Sequence, residues 1–334
     1  MQPDSLIVDA AVGSKVSVVV PSYNHELYVE ECLRSIMSQT AAPMELIVID
    51  DGSDDGSAKV IERVLKDCPF ACEFYTRENR GLCRTLNEGL ERAKGEYFAY
   101  LSSDDLWLSA FLDSRLRALL AEQDAPLVYG HSFMVDVGSR VTGHSYGWEL
   151  PRRDTTREML LFSFVPTSSS ILYRKSALET QLWDPEIKLE DFDLYLRLSA
   201  GHEFAYDPNV LSCWRTHPEN TSKQVELMVA ECIGAIERNA KTLDLTAAEL
   251  AAAVRSMNIY RVDTLLDDGE RVEAIKMFFS NIQGFRDKKD LMKRAAKLLA
   301  PNVVIQKRRD LSKRYLQNKR AIGSIDSSFN FVPS

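Results

Sequence analysis

Two adjacent carboxylates, Asp104 and Asp105, follow an apolar run that reads Tyr-Phe-Ala-Tyr-Leu at residues 97–101. Like charges side by side at the end of a predicted core strand repel each other, which costs stability unless they bind something. A divalent cation would remove the repulsion, because Mg²⁺ or Mn²⁺ commonly takes one or two protein carboxylates while a substrate diphosphate fills other positions. The alternative is that both side chains are solvated and cap a helix that starts near Leu108.

Polar clusters also follow two earlier apolar runs. Pro-Ser-Tyr-Asn at residues 21–24 follows the run at 16–20, and Asp-Asp-Gly-Ser-Asp at residues 50–54 follows the run at 46–49. An Asp here could accept a hydrogen bond from a uracil or thymine imide N–H or from a ribose hydroxyl, and Gly52 permits a tight turn. Taken alone, the second cluster is better explained as an ordinary turn with an Asp helix cap.

The segment Asn-Arg-Gly-Leu-Cys-Arg-Thr-Leu-Asn at residues 79–87 predicts a helix that is entered through a glycine. Helical spacing places Gly81, Arg84 and Asn87 near one face, and the Arg84 side chain is long enough to reach a diphosphate. A solvated surface arginine explains Arg84 equally well. The segment is not a Walker loop, and no G-x-G-x-x-G follows the first predicted strand.

Two later segments carry titratable side chains. Glu190 and Asp191 precede the apolar face of a predicted helix at residues 190–200, where a carboxylate could project into a crevice as a general base. Both could equally be plain surface charges. His217 ends the strand-like segment Trp-Arg-Thr-His at 214–217; such a histidine is commonly structural, but imidazole is also a good Mn²⁺ ligand.

The elements that must position these side chains alternate between strand and helix over the first 130 residues. Short β-branched or aromatic runs typical of buried strands occur at residues 16–20, 46–49, 74–75, 97–101 and 127–129. They predict an α/β domain with a Rossmann-like, mostly parallel central sheet and helices on both faces. Ligands of such sheets bind beyond the carboxyl ends of the strands, so the clusters at 21–24, 50–54 and 102–105 should line one crevice. This convergence favours a metal site over a helix cap at residues 104–105.

Strand signals end after residue 222, and helical patterns then continue to about residue 320. We therefore predict an N-terminal extension at 1–14, an α/β domain at 15–223, an α-helical C-terminal region at 224–322 and a flexible tail at 323–334. Within the α/β domain, the regular strand–helix repeat covers residues 15–130, and a mixed pattern covers residues 131–223.

Composition limits the class of protein. With 45% hydrophobic and 27% charged residues, the chain of 334 residues can build a full core. No segment reaches the roughly 18 uninterrupted apolar residues of a membrane span, and a secretory signal is not expected. The six cysteines lie at unpatterned spacings, which is typical of a reduced cytoplasmic compartment.

The net charge of −8 conceals a basic segment at residues 286–320, which has 13 Lys or Arg against three Asp. One hypothesis is that this segment docks on an anionic membrane that carries a lipid-linked acceptor. The alternative is a charged helical bundle that packs on the α/β domain or on a second subunit. Nucleic-acid binding is not expected, because the rest of the chain is acidic and carries no recognised motif.

Six segments resemble the inverting, nucleotide-sugar-dependent glycosyltransferases of family 2, which have the GT-A fold. Each segment alone is a weak signal, but all six in this order and spacing are specific to that family. The resemblance covers about residues 15–222. Its segments are Val-Val-Val-Pro-Ser-Tyr-Asn, Val-Ile-Asp-Asp-Gly-Ser-Asp-Asp, Asn-Arg-Gly-Leu-Cys-Arg-Thr-Leu-Asn, Leu-Ser-Ser-Asp-Asp, Leu-Glu-Asp-Phe-Asp-Leu and Trp-Arg-Thr-His.

The resemblance implies a nucleotide-sugar donor site in residues 15–130 and an acceptor site in residues 131–223. Pro21 and Tyr23 would flank the nucleobase, and Asp51 would form a hydrogen bond to it. Arg84 would lie near the donor phosphates. Further residues that the resemblance places in or beside the donor site are Asn24, Ser103, Asn79 and Gly81.

The resemblance also implies the metal ligands and the base. Asp104 matches the metal-binding Asp of the family, and His217 matches a frequent third contact to metal or phosphate. Asp191 matches the catalytic base. The family usually has Asp-Ser-Asp-Asp where this chain has Ser-Ser-Asp-Asp, so Ser102 removes one ribose or metal contact. Glu190 and Asp105 would support these residues.

The expected activity is transfer of a sugar, with inversion, from a UDP- or dTDP-sugar to a hydroxyl of a glycan or lipid-linked glycan. It would require Mn²⁺ or Mg²⁺ and would serve bacterial surface polysaccharide synthesis, in the cytoplasm or at the inner face of the membrane. A homo-oligomer is compatible with this interpretation. A nucleotidyltransferase is disfavoured because residues 21–24 lack its Gly-rich, basic loop. A non-catalytic nucleotide-sugar-binding or assembly protein is disfavoured by Asp104, Asp191 and His217 together.

Overall fold

The computed structural model describes residues 15–145, 155–162, 165–218, 220, 224–267, 269–284 and 288–300. The predicted extension at 1–14, the predicted tail at 323–334 and most of the basic segment at 286–320 lie outside the described residues. The strands are β1 (Val16–Ser22), β2 (Glu45–Asp50), β3 (Ala71–Thr76), β4 (Tyr97–Tyr100), β5 (Leu106–Trp107), β6 (Leu127–Val135), β7 (Val141–His144), β8 (Leu172–Arg174) and β9 (Ala205–Arg215).

Helices connect many of these strands, and further helices follow β9. They are α1 (Val29–Met37), α2 (Ser57–Leu65), α3 (Leu82–Arg92), α4 (Phe111–Ala121), α5 (Thr156–Phe162), α6 (Lys175–Glu179), α7 (Glu190–Leu198), α8 (Val225–Asn239), α9 (Ala247–Asp267), α10 (Arg271–Ser280) and α11 (Lys288–Leu299). Short 3-10 helices lie at Ser168–Ser170 and Ile282–Gly284. After Arg215, the described residues contain helices and no strand.

In the part of the chain that the structure describes, all strands join one sheet of order β3-β2-β1-β4-β8-β6-β9-β5, with β7 paired to β6. The first half, β3-β2-β1-β4, is parallel, as the strand–helix repeat predicts. β8 inserts between β4 and β6 and runs antiparallel to both. The simple repeat expected over the first 130 residues therefore stops at β4, because a later segment supplies the neighbour of that strand.

Alternate residues of the central strands pack against opposite layers of helices. Val19 of β1 packs in one core with Leu86 of α3, whereas Val18 packs in a second core with Leu33 of α1. Every residue of β1 is buried, as expected for a parallel strand covered on both faces. Burial of such a side chain stabilises the fold by roughly 1.5–3 kcal/mol. These two cores hold β1, β2 and β4 in register, so that their carboxyl ends meet at one edge.

The first helices of the C-terminal region pack in the same core as the α/β domain. Ile236 of α8 and Ala253 of α9 belong to the same core as Val19. The end of α9 forms a second, smaller core with α10 and α11, which includes Phe278 and Leu298. The predicted boundary near residue 224 therefore marks a change in secondary structure, and the core crosses it.

The apolar residues of α11 lie on two sides of the helix. Leu298 is buried, and Leu291 and Ala295 pack against the same small core. Met292 and Leu299 are 68% and 83% exposed. No helix in the described parts of the chain has the length and hydrophobicity that crossing a bilayer requires.

Helix α3 approaches β1 closely at Gly89, and this contact can be tested. A Cβ atom at position 89 would lie 2.5 Å from Val19 Cγ1, and Val19 is fully buried and cannot move aside cheaply. Gly89→Ala should therefore destabilise the protein by about 1–3 kcal/mol, although alanine favours helices. Urea unfolding followed by circular dichroism measures the change.

Gly234→Ala on α8 is the matched control. Its Cβ would meet the far end of the flexible Arg238 side chain, at 3.0 Å from Nη1, so we expect a gain of about 1 kcal/mol from helix propensity. Equal effects of the two substitutions would contradict the close approach of α3 to β1.

Candidate active site

The carboxyl ends of β1, β2 and β4 lie side by side at one edge of the sheet. Beyond this edge lies a cleft of about 490 Å³. Its lining residues are Pro21, Ser22, Tyr23, Asn24, His25, Asp51, Asn79, Gly81, Leu82, Thr85, Ser102, Ser103, Asp104, His217 and Asn220. The three polar clusters singled out in the sequence thus meet in one cleft, together with His217.

Asp104 and Asp105 do not lie at the start of a helix. The residues that follow them, Leu106–Trp107, form β5, which pairs antiparallel with β9. Helix α4 begins only at Phe111. The helix-cap alternative for the two carboxylates therefore has no support in the fold.

Asp104 lies between two histidines. His217 Nε2 is 3.1 Å from Asp104 Oδ2, and His25 Nδ1 is 3.9 Å from Asp104 Oδ1. One ligand atom from each of the three side chains lies within 4.8 Å of the others. Asp104 and His217 are buried, and His25 is half-buried. One carboxylate and two imidazoles are a donor set that fits a divalent metal ion of the first transition row.

The pKa values of the two adjacent carboxyl groups are shifted in opposite directions. Burial opposes ionisation of Asp104, but the hydrogen bond with His217 and the charge of His25 outweigh burial and lower its pKa. Burial, and secondly the charge of Asp104, raise the pKa of Asp105 well above its usual range. Asp104 is therefore the member of the pair whose surroundings favour the ionised form that a cation needs.

Arg215 fixes the backbone that carries both carboxyl groups. Its backbone N–H donates to Asp105 Oδ1 at 2.8 Å, and its Nε donates to the Asp104 carbonyl at 2.6 Å. Its Nη2 donates to Glu31 of α1 at 2.6 Å. The arginine is buried, so these bonds connect the end of β9 rigidly to residues 104–105. The Asp105 side chain thus braces this turn.

Asp51 organises the loop that enters α3. Its carboxylate accepts the backbone N–H groups of Arg80 and Gly81, both at 2.8 Å, and forms an ion pair with Arg77. Gly81 has a φ of 86°, and Gly52 has a φ of 78°, in the left-handed region that favours glycine. The two glycines allow the loops after β2 and β3 to meet at the cleft.

Polar residues named from the sequence also shape the walls of the cleft. Asn24 Oδ1 accepts the backbone N–H of Asp54 at 2.9 Å, and Asn79 Oδ1 accepts that of Gly81 at 3.1 Å. Ser103 Oγ lies 2.8 Å from His25 Nδ1. Tyr23, which is 44% exposed, provides an aromatic surface beside Pro21.

Arg84 is placed differently from the expectation. It lines a neighbouring cleft of about 710 Å³, and its Nη2 lies 3.3 Å from the exposed carboxylate of Glu186. Asn87, expected on the same face, is used structurally: its side chain exchanges hydrogen bonds with the backbone of Trp183 at 2.8 and 3.1 Å. The guanidinium group beside Asp51 belongs to Arg77. A contact between Arg84 and the donor phosphates stays a prediction.

Asp191 and Glu190 lie in the first turn of α7. Asp191 Oδ1 accepts the backbone N–H of Phe192 at 2.7 Å, and Tyr100 of β4 donates its hydroxyl to Glu190 Oε1 at 3.4 Å. This bond places the start of α7 against the strand that leads to residues 102–105. Burial raises the pKa of Asp191 to about 6. Burial, and then the charge of Asp191, raise the pKa of Glu190 to about 8.

The buried Glu190 should make folding pH-dependent. Its usual pKa is 4.5, so the unfolded chain loses this proton above that pH while the folded protein keeps it until about pH 8. The free energy of unfolding should therefore fall as pH rises across this interval, by about 5 kcal/mol at about 1.4 kcal/mol per pKa unit. Glu190→Gln should lack the part of this fall above about pH 6, where Asp191 is already ionised, and should be more stable than the wild type at pH 8.

Urea unfolding at several pH values between 4.5 and 9 measures this dependence. Glu186→Gln, at a carboxylate whose side chain is 84% exposed, is the control and should follow the wild-type curve. If the curves of Glu190→Gln and the wild type run parallel, Glu190 does not retain its proton in the folded state.

His25 lines the cleft, and Arg215 and Arg77 hold residues that line it, but none of the three was predicted from the sequence. His25 directly follows the cluster at 21–24, and Arg215 lies inside the quoted segment Trp-Arg-Thr-His, so both had a positional signal. Arg77 had none, because it follows an unremarkable strand end at β3.

Comparison with known proteins identifies the family. Residues 17–182 match the model of "Glycosyl transferase family 2". An uncharacterised glycosyltransferase of Rickettsia bellii is 27% identical over 227 residues, which are 65% of this chain and 32% of that protein. TuaG of Bacillus subtilis, a glycosyltransferase assigned to teichuronic acid biosynthesis, is 35% identical over 124 residues, 37% of this chain and 49% of TuaG. The chain thus spans about a third of the Rickettsia protein and half of TuaG.

Solved structures show the same fold. Residues 1–349 of TarS from S. aureus, in complex with UDP-GlcNAc, superpose with a TM-score of 0.55 at 17% identity, covering 92% of each chain. The mannosyltransferase PcManGT from Pyrobaculum calidifontis, in complex with GDP-Man and Mn²⁺, superposes with a TM-score of 0.54 at 17% identity, covering 85% of each chain.

The mixed sheet between two helical layers, with polar clusters at its carboxyl edge, is a GT-A fold followed by a helical C-terminal region, which confirms the expected fold class. Together with the family match, this shows that the chain belongs to glycosyltransferase family 2.

Proposed function

We propose that this protein transfers a glycosyl group, with inversion, from a nucleoside diphosphate sugar to a hydroxyl group of a glycan or lipid-linked glycan. The observation that carries the proposal is the cleft at the carboxyl edge of the sheet. It joins Asp51, a ready hydrogen-bond acceptor, to the cluster of Asp104 and His217 within one volume of about 490 Å³. A nucleoside diphosphate needs a hydrogen-bond acceptor for its nucleobase at one end and a cation site for its diphosphate at the other.

The donor would lie with its nucleobase between Pro21 and Tyr23 and its imide N–H toward Asp51. Asp51 Oδ1 accepts from Arg77 and from the N–H of Arg80, and Oδ2 accepts the N–H of Gly81, so the carboxylate is held in one orientation and one lone pair of Oδ2 is left for a ligand. An imide N–H occurs in uracil and thymine, so we propose a UDP- or dTDP-sugar. The UDP-GlcNAc bound to TarS and the GDP-Man bound to PcManGT support a nucleotide-sugar ligand.

Asp104 and His217 would hold the divalent cation, Mn²⁺ or Mg²⁺, that the family commonly uses. When bound there, such a cation supplies positive charge to the departing diphosphate. The Mn²⁺ in PcManGT supports this assignment, as does the lowered pKa of Asp104, which keeps the carboxylate ionised.

Asp191 would act as the base. Its carboxylate removes the proton of the acceptor hydroxyl as that oxygen forms a bond to the anomeric carbon, and the bond from this carbon to the diphosphate oxygen breaks on the opposite face. The anomeric configuration is therefore inverted, and the proton remains on Asp191. The raised pKa of Asp191 makes it a stronger base than an ordinary aspartate while leaving it mostly ionised above about pH 6.

The proposal for the acceptor names a class of molecule, a bacterial surface glycan. Residues 131–223 would receive a sugar chain, and TuaG, which is assigned to teichuronic acid biosynthesis, supports a role in bacterial surface polysaccharide synthesis. Association with an anionic membrane through residues 286–320 also remains a proposal. The exposed Met292 and Leu299 lie on the side of α11 available for it.

A donor screen tests the function. The protein is mixed with Mn²⁺ and a panel of UDP-, dTDP- and GDP-sugars, and binding is measured by calorimetry and donor hydrolysis by chromatography. We expect metal-dependent binding of one nucleotide class, abolished by EDTA. If no donor binds, with or without metal, the glycosyltransferase proposal is wrong. Binding without transfer to any glycan would instead favour a nucleotide-sugar-binding protein.

A further inference from the structure

His25 is the member of the cleft cluster that neither the sequence argument nor the family match assigns. Its ring faces one oxygen of Asp104 and His217 faces the other: Asp104 Oδ1 is 3.9 Å from His25 Nδ1, and Asp104 Oδ2 is 3.1 Å from His217 Nε2. The two imidazole rings are 5.6 Å apart between centroids and almost perpendicular, at 86°. Two imidazoles and a carboxylate therefore converge on the same space.

We propose that His25 is a third protein ligand of the cation, and that the resulting set of two imidazoles and one carboxylate selects a first-row transition metal ion over Mg²⁺. This inference rests on the proposed function, which leaves the choice between Mn²⁺ and Mg²⁺ open. Asp104 and His217 alone would determine neither the third protein ligand nor the choice of metal ion.

The backbone around His25 holds it in place. The N–H of His25 donates to Ser57 Oγ at 2.9 Å, and the N–H of Glu26 donates to Asp55 Oδ2 at 3.0 Å. The carbonyl of His25 accepts the backbone N–H groups of Tyr28 and Val29, both at 2.9 Å. A histidine on a mobile surface loop would not be tied to a second loop and to the start of a helix in this way.

The side chain of His25 is oriented as well as positioned. Ser103 Oγ lies 2.8 Å from its Nδ1, and the ring of Tyr28 lies 6.0 Å from it, edge to face. The same tyrosine lies 5.2 Å from the ring of His217. The nitrogen that contacts Ser103 is also the one nearest Asp104, so a cation bound at Nδ1 would replace the serine contact, while the packed tyrosine ring keeps the direction of the imidazole.

The chemistry of the ligand atoms determines whether Mn²⁺ or Mg²⁺ binds more tightly. Mg²⁺ is a hard ion that takes oxygen ligands and keeps several waters, whereas imidazole nitrogen favours transition metals. Ser102 and Ser103 add no negative charge that would favour Mg²⁺, and the Asp105 carboxyl is bound to the backbone N–H of Arg215. With His25 the protein supplies two nitrogen atoms and one carboxylate, so replacing His25 should reduce the affinity for Mn²⁺ far more than the affinity for Mg²⁺.

Electron paramagnetic resonance with Mn²⁺ alone, without nucleotide, tests the proposal. Titration of the free-ion signal gives the dissociation constant, and pulsed measurements count the coupled ¹⁴N nuclei. We expect two nitrogen ligands in the wild type and one in His25→Gln, with Mn²⁺ bound about 10- to 100-fold more weakly by the variant. Competition should require a large excess of Mg²⁺ for the wild type and a smaller excess for the variant.

His202→Gln, at an exposed histidine outside the cleft, is the matched control and should retain both nitrogen couplings. His25→Asn is a second variant, and thermal melts of each establish that it folds. The proposal is overturned if His25→Gln keeps two nitrogen couplings and wild-type affinity, or if the wild type binds Mn²⁺ with one nitrogen or none. Because neither donor nor acceptor is present, this result is independent of the donor screen.

Discussion

Replacing Asp191 with asparagine should lower the rate of glycosyl transfer by about 10²- to 10⁴-fold, which is the usual contribution of general-base catalysis. Asparagine has nearly the same shape and can still accept the backbone N–H of Phe192 through its side-chain oxygen. It cannot take the proton of an acceptor hydroxyl. The substitution therefore removes the chemistry of the side chain and preserves its place in the first turn of α7.

Donor binding should not change in this variant, because Asp191 is not among the residues that line the cleft holding Asp51 and Asp104. The measurement pairs the initial rate of transfer with donor affinity by calorimetry. Asp113→Asn on the surface of α4 is the control and should leave both quantities unchanged. Near-normal transfer by Asp191→Asn would remove Asp191 from the mechanism; a loss of donor binding would mean that the carboxylate holds the donor.

Replacing Asp104 with asparagine should abolish tight metal binding and lower transfer on the order of 10²- to 10³-fold, the effect of losing one electrostatic stabiliser of a transition state. Asp104 contributes the negative charge of the cluster, and His25 and His217 are neutral when they bind a metal. Without that charge the cation is held by two imidazoles and one amide oxygen. The affinity for the metal and the charge delivered to the leaving diphosphate fall together.

Asp105→Asn provides the matched control for this prediction. An asparagine oxygen at position 105 can still accept the backbone N–H of Arg215, so the turn should keep its shape and Mn²⁺ should bind as in the wild type. Metal affinity is read from Mn²⁺ titrations, and transfer rates are measured at saturating Mn²⁺. If the two asparagine variants lose metal affinity equally, the cation is shared by both carboxylates and the division of roles between them is wrong.

Several features of the cleft were predictable because they depend on local patterns. Buried β-branched runs such as residues 16–20 indicate strands without any knowledge of tertiary contacts, since both faces of a parallel strand must be apolar. Polar clusters directly after such runs must then lie at the carboxyl ends of the strands. The approach of residues 21–24, 50–54 and 102–105 to one another follows from this rule and from parallel pairing.

Side-chain direction was less predictable, as the two arginines near the cleft show. Arg77 directly follows β3, and Arg84 lies in the first turn of α3. The turn of α3 carries Arg84 toward Glu186, whereas the end of β3 places Arg77 against Asp51. The tertiary packing of β3 and α3 sets the direction of each side chain, and the spacing of residues along the sequence does not specify it.

Residue patterns alone are enough to predict an α/β domain with acidic clusters at the ends of its first strands, and the motifs indicate the family. Three features depend on the folded chain: β8 pairs with β4, His25 and His217 meet at Asp104, and Glu190 is buried against Tyr100. Strand and helix patterns arise from contacts a few residues apart, whereas His25 and His217 come together only because β1, β4 and β9 lie in one sheet.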